Sequence, residues 1–215
     1  MAGTITVKGT GQLKVAPDQV RITVQLSEKK KEAEKAAAAA DEKAGAVKRA
    51  LAQAGFASDE LKTLSFNVAP EYIWDKNGNR RQNGFRCDHI LRLTFPMNRE
   101  KVREVMDLLA CCEASPAFDV QFTLKEPEGV RDELLRLASE NARKKAEVLC
   151  AASGAKLGKL TQISYGVSSV ELVSPMAVRF EKAAGVSNDR AVMSEEYIPE
   201  DIEASDDATF TWELD

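Results

Sequence analysis

From Val20 to Leu26 the chain alternates without a break, with Val20, Ile22, Val24 and Leu26 set against Arg21, Thr23 and Gln25. A period of two over that length predicts an antiparallel strand with one buried face. The same alternation returns in Phe85, Cys87, His89, Leu91, Leu93 and Phe95, in Phe118, Val120, Phe122 and Leu124, and in Phe210, Trp212 and Leu214. Before the first of these, Thr4–Val7 and then Leu13 and Val15 flank Gly9-Thr10-Gly11, which reads as two strand pieces joined by a glycine kink or bulge. A further strand is predicted from Leu160 to about Val173. The last, from Asp201 to Leu214, is expected to pair with something distant in sequence, the strand after the long helix being the best placed.

Three stretches change to helical spacing. Over 28–54, Lys and Glu take the outer positions, while Ala33, Ala37, Ala40, Ala44, Val47, Leu51 and Ala54 form a contact face ending at Gly55. Its Ala36–Ala40 run has high helix propensity and little apolar area. Asn98 is a suitable N-cap for a second helix over 99–112, with Val102, Val105, Met106, Leu108 and Leu109 facing inward. The third covers 127–153. It has Pro127 in its first turn, Gly154 at its end, and a stripe of Val130, Leu134, Leu137, Ala138, Ala142, Ala146 and Leu149. Glu140 and Lys144 are spaced as an exposed pair on that helix.

Between the first two helices, two apolar limbs meet at Asn77-Gly78, a strong hairpin signal. The hairpin of about 64–95 is longer than most strand pairs, so its far end, with Tyr72, Trp74, Arg80 and Arg81, is expected to project. Aromatic and arginine side chains on such a ribbon are what protein interfaces favour, which makes Tyr72, Trp74, Arg80, Arg81 and Phe85 candidate interface residues. Ser174–Ile198, with Pro175, Gly185, Met193 and a run of charges, reads as a loop. The pattern as a whole predicts an α+β fold of antiparallel sheets backed by three main helices, in one unit over 1–215 or two closely packed subdomains parting near residue 97.

Composition narrows the functional classes. A formal net charge of −4 on 215 residues argues against nucleic acid as a partner, and no run of apolar residues is long enough for a membrane-spanning helix. The opening MAGTITVKGTGQLKV lacks the form of a signal peptide, and the four cysteines, two of them adjacent, suit reduced thiols better than a disulfide framework. The expected location is therefore cytoplasmic, or periplasmic if a leader has been removed.

Candidate chemistry is sparse. A hydrolytic triad needs a base, and His89 is the only histidine, placed on a core-facing strand position. Zinc held by Cys87, His89, Cys111 and Cys112 would need ligands from separate segments, since no Cys-x-x-Cys is present. Glu195, Glu196, Glu200, Asp201, Asp206 and Asp207 read as a solvated acidic surface, with weak calcium binding as the functional alternative. Cys111 and Cys112 are the candidate redox thiols, although a helix C-terminus disfavours a thiolate. No cofactor, metal or catalytic residue is expected. The alternative is a pocket between sheet and helix near His89, serving a small ligand or an enzyme.

Ile5–Gly11, Val15–Asp18, Ala54-Gly55-Phe56, Leu64–Tyr72, Gly84–Arg86, Ala142–Ala146, Gly158-Lys159-Leu160, Ser174-Pro175-Met176 and Thr209–Leu214 follow one another in a telling order. That order resembles the SIMPL-domain family, whose members include periplasmic immunogenic and oxidative-stress-related bacterial proteins. The resemblance implies an α+β fold and homo-oligomers, ring-like in some members. Here those contacts are expected through the hairpin and sheet edges. It implies a role in stress or as a scaffold or adaptor, and brings no catalytic residues. The four cysteines and the acidic segment before the last strand depart from the exported members' pattern.

Overall fold

The computed structural model describes residues 3–74, 78–166, 172–180 and 198–215. In chain order the elements are β1 (Gly3–Val15), β2 (Gln19–Lys30), α1 (Ala33–Gln53), β3 (Lys62–Trp74), β4 (Arg80–Pro96) and α2 (Arg99–Ala110). They continue with β5 (Ala117–Thr123), α3 (Pro127–Ser153), β6 (Leu157–Ser164), β7 (Val173–Phe180) and β8 (Ile202–Leu214). This is an α+β fold with a three-stranded sheet, order β1-β8-β6, and a five-stranded sheet, order β3-β4-β2-β5-β7. No described helix is long and apolar enough to cross a membrane.

The chain divides into two compact units, and no break falls near residue 97. One gathers Met1–Pro17, Thr123–Pro175 and Glu200–Asp215; the other is built from Asp18–Phe122 and Met176–Pro199.

In the first unit α3 lies on the three-stranded sheet. β1 is one continuous strand paired antiparallel with β8 from Gly3↔Leu214 to Val15↔Ile202, so the expected kink at Gly9-Thr10-Gly11 is absent. The glycines let the helix come close. A Cβ on Gly9 would lie 2.0 Å from the Ala138 carbonyl oxygen, and one on Gly11 would lie 2.0 Å from that of Leu134. The helix spans its predicted residues, with Pro127 in its first turn and Gly154 left-handed at φ 77°. Its buried stripe is Leu134, Ala138, Ala142, Ala146 and Cys150; Leu149 is exposed. Glu140 pairs with Arg136 rather than with Lys144. Two α3 side chains also cover the outer edge of β1: Asn141 Oδ1 accepts from the Thr10 N–H at 3.1 Å, and Lys145 Nζ donates to the Lys8 carbonyl at 3.1 Å.

In the second unit α1 and α2 pack on one face of the five-stranded sheet. Val20, Ile22, Val24, Leu91, Leu93, Val47, Leu51, Val105, Met106, Leu109 and Phe122 form its core. α1 starts at Ala33, not 28, because Glu28–Lys30 continue β2 opposite Cys87, Arg86 and Phe85. Sheet pairing overrides the helix propensity of that Glu-Lys run. Ala36 and Ala40 meet Cys87 in a small satellite cluster, so Ala36 takes the inward position predicted for Ala37. Asn98 caps α2 as expected, its Oδ1 accepting from the Lys101 N–H at 3.0 Å, though the helix closes at Ala110.

Two expectations late in the chain change. Residues 174–180, read as loop, belong to β7, since Met176, Val178 and Phe180 alternate onto the core and Phe180 stacks on Phe118 at 5.1 Å. The strand predicted over 160–173 is β6, which begins earlier and ends at Ser164. Asn77, Gly185, Met193, Glu195 and Glu196 lie outside the described residues.

Candidate functional site

Among the described residues β3 is an edge strand, bonded to β4 on one side only. β4 pairs with β2 as far as Lys30↔Phe85, so beyond Phe85 the hairpin continues as a two-stranded ribbon. There Tyr72 faces Gln82, Ile73 faces Arg81 and Trp74 faces Arg80. A register irregularity between Pro70 and Tyr72 sets the ribbon off from the sheet. At that point the Glu71 carboxylate is held by Lys29 and Arg86, and hydrogen bonds from both keep it below the usual carboxylate range. The knot fixes the base of the ribbon.

Apolar surface is open on both sides of it, Leu64 and Phe66 before the knot and Tyr72, Ile73 and Trp74 beyond it. Trp74 is 73% exposed, and Tyr72, Ile73, Phe66 and Leu64 are each more than two-fifths exposed. The Arg80 guanidinium lies over the Tyr72 ring at 3.8 Å, which orders both side chains. Tyr72, Trp74, Arg80 and Arg81 therefore share the ribbon, as the hairpin signal suggested. Phe85 does not join them, because it is partly buried against Ala36, Ala40 and Cys87. Sequence reading missed Leu64, Phe66 and Ile73. Their spacing is that of an ordinary half-buried strand, and the sheet order is what shows β3 with a free side among the described residues.

His89 lies on the helix-covered face of β4 and is 6% exposed. Its Nε2 is 3.1 Å from Thr63 Oγ1, its ring stands edge-on to Phe66, and its buried Nδ1 points to the Asp41 carboxylate 3.8 Å away. Burial pushes its pKa down, partly opposed by Asp41. Cys87, two residues before it on the same face, is fully buried and its thiol is pushed up by the same loss of solvent. A dry thiol raised in pKa is a packing residue rather than a nucleophile. Clefts elsewhere in this unit are lined by other residues. One of about 830 Å³ is lined by Lys29, Lys30, Lys31, Gln82, Asn83 and Gly84, and one of about 380 Å³ by Thr23, Gln25, Asp119, Gln121, Arg179 and their neighbours.

Of the vicinal cysteines, Cys111 is exposed at the C-terminus of α2 and Cys112 is buried in the main core. Cys150 is buried under α3. Among the described residues no group of three or more His, Cys, Asp and Glu is arranged to hold a metal ion. Asp206, read as part of an acidic surface, is a buried β8 residue whose Oδ2 accepts from the Tyr165 hydroxyl at 2.9 Å; Asp207 pairs with Lys8.

Among the described residues these features define an α+β protein of two antiparallel sheets and three helices, with an open edge strand and an aromatic ribbon as its most distinctive surface. The chain belongs to the SIMPL family, proteins of unknown function (DUF541), whose model matches residues 5–212. It is 23% identical to the uncharacterized protein YggE of Edwardsiella ictaluri over 78% of this chain and 70% of that one. It is 26% identical to the 26 kDa periplasmic immunogenic protein of Brucella melitensis over 74% of this chain and 65% of that one. The YggE of Escherichia coli K12 is 24% identical over 83% and 71%.

Proposed function

We propose that the protein works by association with copies of itself and not by catalysis, through the free edge of β3 and the aromatic ribbon it carries. The observation that carries this reading is the edge strand with Leu64, Phe66, Tyr72, Ile73 and Trp74 open to solvent. An edge that combines unpaired backbone groups with exposed apolar side chains is a template for another strand, and soluble proteins ordinarily blunt it. β1 shows the contrast, its edge being covered by Asn141 and Lys145. The arrangement offers a scaffold or adaptor surface; a stress role is the biological expression proposed for it.

The test is the mass in solution. Light scattering at micromolar concentration is expected to exceed the 23.5 kDa of one chain. Trp74→Ser should weaken association by about 2 kcal/mol, roughly thirtyfold in the dissociation constant, and should leave the thermal midpoint unchanged when both chains are diluted to monomers. A strict monomer across that range overturns the reading. Survival of a deletion strain under peroxide, restored by the wild-type chain and not by Trp74→Ser, would test the stress role.

A further inference from the structure

The face of the five-stranded sheet opposite α1 and α2 carries an unexpected set of charges. Arg21 and Thr23 on β2 point away from the buried Val20, Ile22 and Val24, and Arg92 and Thr94 on β4 point away from the buried Leu91 and Leu93. The register sets Arg21 opposite Thr94 and Thr23 opposite Arg92, so the four side chains form a two-by-two block on one face. Lys62 of β3 lies opposite Arg92 and extends the row. Diagonal neighbours on a sheet face are within reach of one another through long side chains. The Arg21 guanidinium is pushed down in pKa, first by burial and then by the charge of Arg92.

No carboxylate among the described residues forms an ion pair with Arg21, Lys62 or Arg92. The Nε of Arg92 is shut off from water and has no hydrogen-bond partner. Two half-buried guanidinia side by side repel, and a buried donor of a cation left unbonded is costly. Elsewhere in the same unit arginines are matched: Arg86 with Glu71, and Arg179 with Asp119 at 3.4 Å. Among the described residues the pair is therefore unmatched, and both side chains are partly exposed, which leaves their guanidinia open to an acceptor from outside those residues.

We propose that Arg21, Arg92, Thr23 and Thr94 bind a phosphoryl group. Two guanidinium forks and two hydroxyls present more donors than the two oxygens of a carboxylate can take, whereas a tetrahedral phosphoryl group offers acceptors in several directions. Arg is the side chain suited to that geometry. The cleft of about 380 Å³ that begins at Thr23 and runs past Gln25, Gln121 and Asp119 gives room beside the block for the rest of a phosphate ester. This site lies on a different face of the sheet from the buried His89 and does not depend on self-association.

The full chain is titrated with inorganic phosphate, and in parallel with glycerol 3-phosphate, at constant ionic strength set with chloride. The readouts are the thermal midpoint and the NMR shifts of the arginine Nε–H groups. Both phosphates stabilise proteins in general, so the control is the Arg21→Gln/Arg92→Gln variant. In chloride alone the variant should melt at or above the wild-type midpoint, because the like-charge repulsion is gone. With phosphate, the wild-type midpoint should rise by several degrees more than that of the variant, and the Arg21 and Arg92 Nε–H signals should shift saturably. Binding of the ester alone assigns an esterified ligand, and binding of both assigns the phosphoryl group itself. An equal rise in wild type and variant, or Nε–H signals that do not move with either probe, overturns the proposal. The signals are read on the wild-type chain and decide the matter even if the variant fails to fold.

Discussion

At His89 three elements meet around one ring. Thr63 and Phe66 face it from β3, Asp41 and Lys48 from α1, and Cys87 shares its strand face. With a carboxylate 3.8 Å from Nδ1, the neutral ring is best served by a proton on Nδ1 and by the Thr63 hydroxyl donating to Nε2. A second proton reverses the Thr63 bond and puts charge where water cannot reach. Folding therefore lowers the pKa, and the unfolded chain takes the proton first. The sign follows: the stability contributed by neutral His89 is complete above about pH 7 and falls as pH drops through the ordinary histidine range towards the lower folded value. Urea denaturation between pH 7.5 and 5 should show stability falling by up to about 1.4 kcal/mol per pH unit, and His89→Gln should flatten that slope. An unchanged slope in the variant would show that other groups carry it. Glu28 and Glu71, whose carboxyls are held down chiefly by hydrogen bonds to Lys43 and to Lys29 and Arg86, act in a more acid range. The alternation of β4 was enough to place His89 in the core. Its partners on β3 and α1 come from separate segments, and no local spacing could have named them.

At the level of elements, what a helix packs against decides details its own sequence leaves open. The inward residues of α3 fall every fourth position from Leu134 to Cys150, which turns the buried line by about 40° per step as the helix crosses the strands. A fixed stripe read by hydrophobicity therefore drifts from the real one and picks Leu149 over Cys150. The same crossing explains Gly9 and Gly11, whose missing side chains are occupied by helix backbone. Gly9→Ala forces α3 off the sheet and should destabilise the first unit by about 3 kcal/mol. Gly129→Ala is the matched control: it lies in α3 with nothing within 4 Å of an added Cβ, and should stabilise by about 0.5–1 kcal/mol through helix propensity. Denaturant midpoints of the two variants test both signs, and equal effects would refute the close-approach account. Helix α3, with its Pro and Gly ends, was readable to the residue. The start of α1 was not, because Glu28–Lys30 belong to a strand for reasons that lie in β4, nor was β7, whose three apolar positions count only once Phe118 lies beside Phe180.

Across the whole chain, the unit containing β1 cannot be completed until β8 has been made. β8 is the middle strand of the three-stranded sheet, between β1 from the start of the chain and β6 after α3. The sequence supported a pairing of the last strand with the one after the long helix. The partnership with β1, nearly two hundred residues away, and the interleaving of two units have no signature in local periodicity, because the chain leaves one unit at Pro17 and re-enters it at Thr123. β8 supplies Ala208, Phe210 and Trp212 to the cluster beneath α3, and Ile202 and Ala204 to the neighbouring one. Without it β1 and β6 have no ladder partner, and α3 loses most of the large apolar surface it covers. A chain ending at Glu200 should therefore lose amide-exchange protection throughout β1, α3 and β6. The β2–β4 ladder, which takes no residue from β8, should keep its protection. Exchange measured by mass spectrometry on the truncated and full chains decides the point. Loss of protection in β2 and β4 together with β1 would mean that the two units fold as one cooperative body.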